Sequence, residues 1–170
     1  LAGLLLAGCG SKLDKAKKAY TQGEYYKAEQ ILEAMMLTEP TAEVEMYLNI
    51  CKAVFDFQTT DSLVNTNSIA AAWAAFNHGG KYDTRSGLFV RVGKNLAKAT
   101  IREVESKDLP QQNWEAALTK TGYLQQYGFL PAEANQDRAQ ALYGKEGRFS
   151  REVIDCWNTV LRIDPKNERG

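Results

Sequence analysis

Histidine and cysteine are nearly missing from these 170 residues: His78 stands alone, and Cys9, Cys51 and Cys156 lie far apart. Structural zinc needs Cys or His ligands at short fixed spacings, and a disulfide framework needs several paired cysteines, so neither organises this chain. A lone histidine is also a poor start for nucleophile activation, since no cysteine or acid sits at ligand spacing beside it. His78 reads as a loop residue. Cys51 and Cys156 could pair in an oxidising compartment, yet both fall on apolar helical stripes, which favours packing without a bond.

A surplus of charge is missing too. Lys+Arg and Asp+Glu number 21 each, so no global field argues for nucleic acid, and no nucleic-acid-binding motif appears. Prolines number only four and alternating β-branched runs are scarce, whereas Ala, Leu, Lys, Glu and Gln abound. That composition predicts an all-α protein. No apolar run is long enough to cross a bilayer, and the one at the front of the chain is interrupted by glycine. The length is sufficient to bury a core without metal, disulfide or cofactor.

Catalytic signatures are equally sparse. "HGGKYDT" suggests a phosphate loop, but Ala75 stands where the first glycine should be and Tyr82 where Ser or Thr must hold the metal. Glu103 and Glu105 point to different sides of a helix. What remains is binding, and the chain reads as non-enzymatic.

The positive signals begin with "LAGLLLAGCGS". An apolar run that stops at a cysteine between glycines is badly built for a buried helix. Leu6-Ala7-Gly8-Cys9 resembles the lipobox of bacterial lipoproteins. The resemblance implies that residues 1–8 are part of a signal peptide, that Cys9 carries a covalent lipid, and that residues 9–11 link the anchor to the folded part. Several acyl chains give stable attachment, at roughly 0.8 kcal/mol per buried methylene. By resemblance to Gram-negative lipoproteins, Gly10 in place of an aspartate after the cysteine favours the outer membrane, facing the periplasm or the cell surface. In a Gram-positive cell the same motif implies the outer face of the cytoplasmic membrane.

Two later segments align with each other. In "AKKAYTQGEYYKAEQILEAMMLTEP", Ala16, Ala28 and Pro40 are spaced by twelve residues, and in "ALYGKEGRFSREVIDCWNTVLRIDP" Ala141, Val153 and Pro165 repeat that spacing. Small residues let two helices of a hairpin approach, and proline ends the second helix. Gly23 and Gly147 mark the turns. The pattern resembles the tetratricopeptide repeat, with departures at Val153, Met35 and Val160. Over residues 12–170 it implies an α-solenoid of antiparallel helical hairpins, about three to four of them.

Between the two repeats, Val44, Tyr47, Leu48, Cys51 and Phe55 form one apolar stripe, and "SIAAAWAAFN" supplies the returning arm with Trp73 and Phe76 as fillers. "NHGGKYDTRSG" is the clearest break, a loop of unusual length for a repeat protein. Leu88, Val92, Leu96 and Ala99, then Trp114, Ala117, Leu118, Thr121 and Leu124, predict one more pair, and Val153, Ile154, Trp157, Val160 and Leu161 form the stripe of the closing helix.

Tetratricopeptide arrays hold a peptide or partner helix in the groove lined by their first helices. The resemblance places Leu13, Lys17, Tyr20 and Thr21 in that groove in the first repeat, and Asn135, Arg138 and Lys145 in the last. The implied function is a membrane-anchored scaffold that binds a protein or peptide partner in envelope assembly. The alternative is a structural subunit that self-associates through exposed solenoid ends, because no polar capping helix is evident after Leu161.

Overall fold

A computed structural model of the chain describes residues 11–167. The signal-peptide reading of residues 1–8 and the lipidation of Cys9 lie outside those residues. Every regular element described is helical: α1 (Lys12–Thr21), α2 (Tyr25–Thr38), α3 (Ala42–Asn65), α4 (Ile69–Gly79), α5 (Gly87–Glu103), α6 (Trp114–Tyr127), α7 (Pro131–Glu146) and α8 (Arg151–Ile163). A π-helical turn, Val104–Asp108, continues α5 before the chain reaches α6.

Local chemistry explains the starts and stops. Ser11 caps α1 and Asp14 reaches back to its amide, closing a reciprocal capping box, while Thr41, Ser86 and Ser150 cap α3, α5 and α8. Gly23 and Gly147 hold left-handed backbone at φ 78° and 66°, the conformation the hairpin turns require. Short connections return most of the helices along their predecessors. Consecutive helices pack α1 on α2, α2 on α3, α3 on α4, α6 on α7 and α7 on α8; α5 lies chiefly against α3.

The first apolar cluster joins Ala16, Ala19, Ala28, Leu32, Val44, Leu48 and Cys51, so the small residues of the first repeat do stand where helices meet. The last repeat differs in detail. Ala141 is buried with Val104 and Ala117, towards α6 and the π turn, and it is Ala139 with Leu142 that meets Val153 and Cys156 of α8.

The largest cluster is aromatic and central. Trp73 and Phe76 of α4 meet Phe57 of α3, Phe89 of α5, Tyr123 and Tyr127 of α6, and Phe129 just after it. Gly93 of α5 makes this possible: a β-carbon there would run into the Phe129 ring and stand 2.9 Å from Phe76 Cζ.

Two expectations need correction. Phe55 is 74% exposed, because α3 turns its apolar side first to α2 and later, through Ala53 and Phe57, to α4, and Phe55 faces neither. The break at residues 77–87 is shorter than expected, since Asn77, His78 and Gly79 complete α4, and His78 is therefore a helix residue. The expected pairing of α5 with α6 runs mainly through the π turn, which contacts both. There Lys120 of α6 lies between two carboxylates, one buried and one largely covered, its Nζ 2.6 Å from Asp108 Oδ2 and 3.3 Å from Glu103 Oε2.

Candidate functional site

On α1 the expected groove residues do come together, but α3 already occupies them. Lys17 Nζ lies 2.6 Å from Glu43 Oε1 and 5.5 Å from the centre of the Tyr47 ring. The Glu43 carboxylate raises the pKa of the Lys17 ammonium. Tyr20 packs edge-on to Tyr25 and Tyr47 at 5.5 and 5.8 Å, and Leu13 packs on the same cluster. Thr21 is exposed, with its hydroxyl donated to the Lys18 carbonyl at 2.9 Å.

The α7 residues hold helices together. Asn135 is only 9% exposed: its Nδ2 donates to the Pro131 carbonyl at 2.7 Å and its Oδ1 accepts from Gln125 Nε2 at 2.8 Å. It is enclosed between α6 and α7, which corrects its placement on an open groove. Arg138 bridges three helices, donating to Glu152 at 2.7 Å and to the Leu118 carbonyl at 3.2 Å. Lys145 is exposed and pairs with Glu115 at 2.7 Å. α1 packs on α2 and α3, and α7 on α5, α6 and α8, so the two sets belong to different neighbourhoods.

A better-formed recess lies elsewhere, between the first half of α3 and the loop after α4. It encloses about 620 Å³, with Met46, Ile50 and Tyr82 as its larger apolar groups and Glu45 and Arg85 carrying opposite charges. Met46 and Tyr82 are substantially exposed. One buried carboxylate organises the loop: Asp83 Oδ1 accepts from the Arg85 and Ser86 amides, each at 3.0 Å. Ser86 then caps α5 through the Phe89 amide at 3.1 Å. The signal that could have found this recess was the glycine-rich break itself, because loops on rigid scaffolds carry function more often than their share. The contribution of α3 went unread, although Met46 and Ile50 stand four residues apart and so share one face of the helix.

Asp83→Ala removes both amide acceptors, and the expected cost is about 1–2 kcal/mol, in line with loss of a capping carboxylate. Thermal unfolding should register it, and the amides of Arg85 and Ser86 should exchange with solvent faster. Unchanged exchange there would show that the loop holds without the carboxylate.

His78 Nδ1 is 2.7 Å from Asp56 Oδ2, and the ring meets Tyr82 edge-on at 5.9 Å. The pair ties the end of α4 to α3. Among the described residues no group of three potential ligands could hold a metal ion, and no helix is long and apolar enough to cross a membrane.

Cys51 and Cys156 are free and buried, in separate clusters. Burial pushes the Cys51 thiol up to about 11, and it raises Cys156 as well. Ionisation of Cys51 at pH 8 then falls to about one thiol in a thousand, and only the thiolate is the nucleophile. In a Cys9→Ser variant, thiol-reagent labelling should be at least tenfold slower in the folded chain than in denaturant. Equal rates would mean the two thiols are accessible.

Comparison with protein-family models, with curated proteins and with solved structures gave no match for this chain.

Proposed function

We propose that the chain is a non-catalytic scaffold of the bacterial envelope. In this reading its helical pairs stack as a tetratricopeptide-like solenoid, tethered by a lipid on Cys9 to a membrane, the outer membrane in a Gram-negative cell. The partner is a protein or peptide of an envelope assembly. The observation that carries the reading is the recess between α3 and the 82–86 loop, where Met46, Ile50 and Tyr82 offer apolar contact beside Glu45 and Arg85. Apolar contact with a few charges at fixed places is what a partner side chain needs for both affinity and orientation.

Photocrosslinking in native envelopes tests this directly. A crosslinking residue at Met46 should capture one discrete protein, and Ile50→Glu should abolish that capture. Capture that survives Ile50→Glu would sink the recess as the partner site. Mass spectrometry of the N-terminal peptide tests the tether, since an unmodified Cys9 still joined to Gly8 would end that part of the reading.

Self-association is the second reading, and α8 favours it. Ile154, Leu161 and Ile163 are each about half exposed, and Trp157 is only partly covered by the cluster beneath. Sedimentation of the chain without its lipid separates the two, a monomer supporting the scaffold and higher species the subunit of an assembly.

A further inference from the structure

A second groove, of about 740 Å³, runs between the C-terminal end of α3 and the outward face of α5, closing on the π turn. Its lining has an unusual balance: Arg91, Lys98, Arg102 and Lys107 contribute four positive charges against two negative ones from Asp61 and Glu103. The pairs are unevenly spent. Arg91 is held by Asp61 at 3.0 Å and Lys107 by Glu103 at 3.6 Å, and Glu103 is further shared with the largely covered Lys120. Lys98 and Arg102 have no ion pair among the described residues, and they stand one helical turn apart, a spacing that puts side chains side by side.

Three asparagines and Ser106 complete the polar lining: Asn65 at the end of α3, Asn67 in the turn that follows, and Asn95 on α5, with Ser106 in the π turn. Asn67 holds left-handed backbone at φ 57°, where the chain turns out of α3. None of the three side-chain amides is hydrogen-bonded to protein among the described residues, so each has donors to offer. The lining has no aromatic ring, which removes a stacking platform for a nucleobase, and only Val64 and Ala99 are apolar. A volume of this size is that of a small-molecule site.

We propose that this groove binds a phosphate monoester on a small polar carrier, with Lys98 and Arg102 as the anion's partners. The excess of two positive charges matches the charge of about −1.5 to −2 on a phosphate monoester near neutral pH. Arg102 offers a planar fork that pairs two oxygens at once, and Lys98 a compact charge for the third. The asparagine amides then meet the hydroxyls of the carrier. The same chemistry exists free in solution and on the headgroup of a phosphatidic acid bilayer, whose chains would stay outside a groove with so little apolar lining.

Titration calorimetry of the full chain with glycerol 3-phosphate is the test. Saturable binding at one site is expected, weakened at least tenfold by Lys98→Ala or Arg102→Ala and several-fold by Arg102→Lys, which keeps the charge and loses the fork. Lys94→Ala, on the exposed face of α5 but outside the groove, is the comparator and should change affinity less than twofold. Sedimentation with vesicles containing phosphatidic acid, against pure phosphatidylcholine, identifies the source: co-sedimentation abolished by Arg102→Ala assigns a headgroup, and binding of the soluble probe alone assigns a free ligand. Three results would overturn the proposal: no saturable binding to either probe, equal binding of citrate or a glutamate-rich peptide, or a Lys94→Ala loss as large as that of Arg102→Ala. All four variants are of exposed helix residues, and unchanged circular dichroism confirms that folding is not what was altered.

Discussion

Lys120→Met is expected to destabilise the fold by about 3–5 kcal/mol, the range for removing one partner from a buried ion pair. The side chain of Asp108 is 1% exposed, that of Glu103 12% and that of Lys120 13%, so water can do little to replace the lost ammonium. Among the described residues Asp108 would keep no cation, and Glu103 would keep only Lys107, at 3.6 Å and more exposed. The methionine supplies similar volume, so the loss would reflect charge and not a cavity. Chemical denaturation should show a lower midpoint with an unchanged slope. Adding Asp108→Asn and Glu103→Gln in the same chain should recover more than half of the loss, because neutral amides tolerate burial that stranded carboxylates do not. A loss under about 1 kcal/mol in the single variant would mean that the site is hydrated and the ion pairs contribute as weakly as surface ones.

Trp73→Ala is expected to cost about 3–5 kcal/mol, the range for deleting a large aromatic from a packed core. Trp73 is among the largest fully buried side chains and stacks on Tyr123 and Tyr127 with ring centres 5.1 and 6.0 Å away. Its Nε1 donates to Thr100 Oγ1 at 3.0 Å, and Thr100 in turn donates to the Leu96 carbonyl. The truncation removes contacts that join α4, α5 and α6, so their relative packing loses its common filler. Trp73→Phe keeps a ring but loses the hydrogen bond, and should fall between the wild type and Trp73→Ala in thermal unfolding. A Trp73→Ala chain as stable as the wild type would show that α4 can collapse onto α6 without it.

Much of the helical layout was legible because it rests on local rules. The small residues at Ala16 and Ala28 and the turns at Gly23 and Gly147 follow from close approach and left-handed backbone, and the structure places them accordingly. Trp73 and Phe76 announced themselves as core by size and by their place among alanines. Phe55 misled because periodicity identifies a stripe without saying where along a long helix the neighbour changes. The π turn had no marker, since no glycine or proline interrupts residues 104–108, and only the meeting of Glu103, Asp108 and Lys120 explains its position.

The candidate sites were less legible for the same reason. Asn135 and Arg138 have the composition of a binding face, and their partners, Gln125 and Glu152, are ten and fourteen residues away. Both recesses are assembled from segments that no short motif connects: Met46 with Tyr82 in one, Asn65 with Arg102 in the other.

α3 runs unbroken for 24 residues, about 36 Å at 1.5 Å per residue. Val44, Leu48 and Cys51 near its start belong to one cluster, and Ala53 and Phe57 farther along belong to another. The helix is thus a beam shared by two cores, with no joint between them. Tension applied at α1 would travel along that beam into the aromatic centre, so the N-terminal pair and the central core should yield to force together, as one mechanical unit.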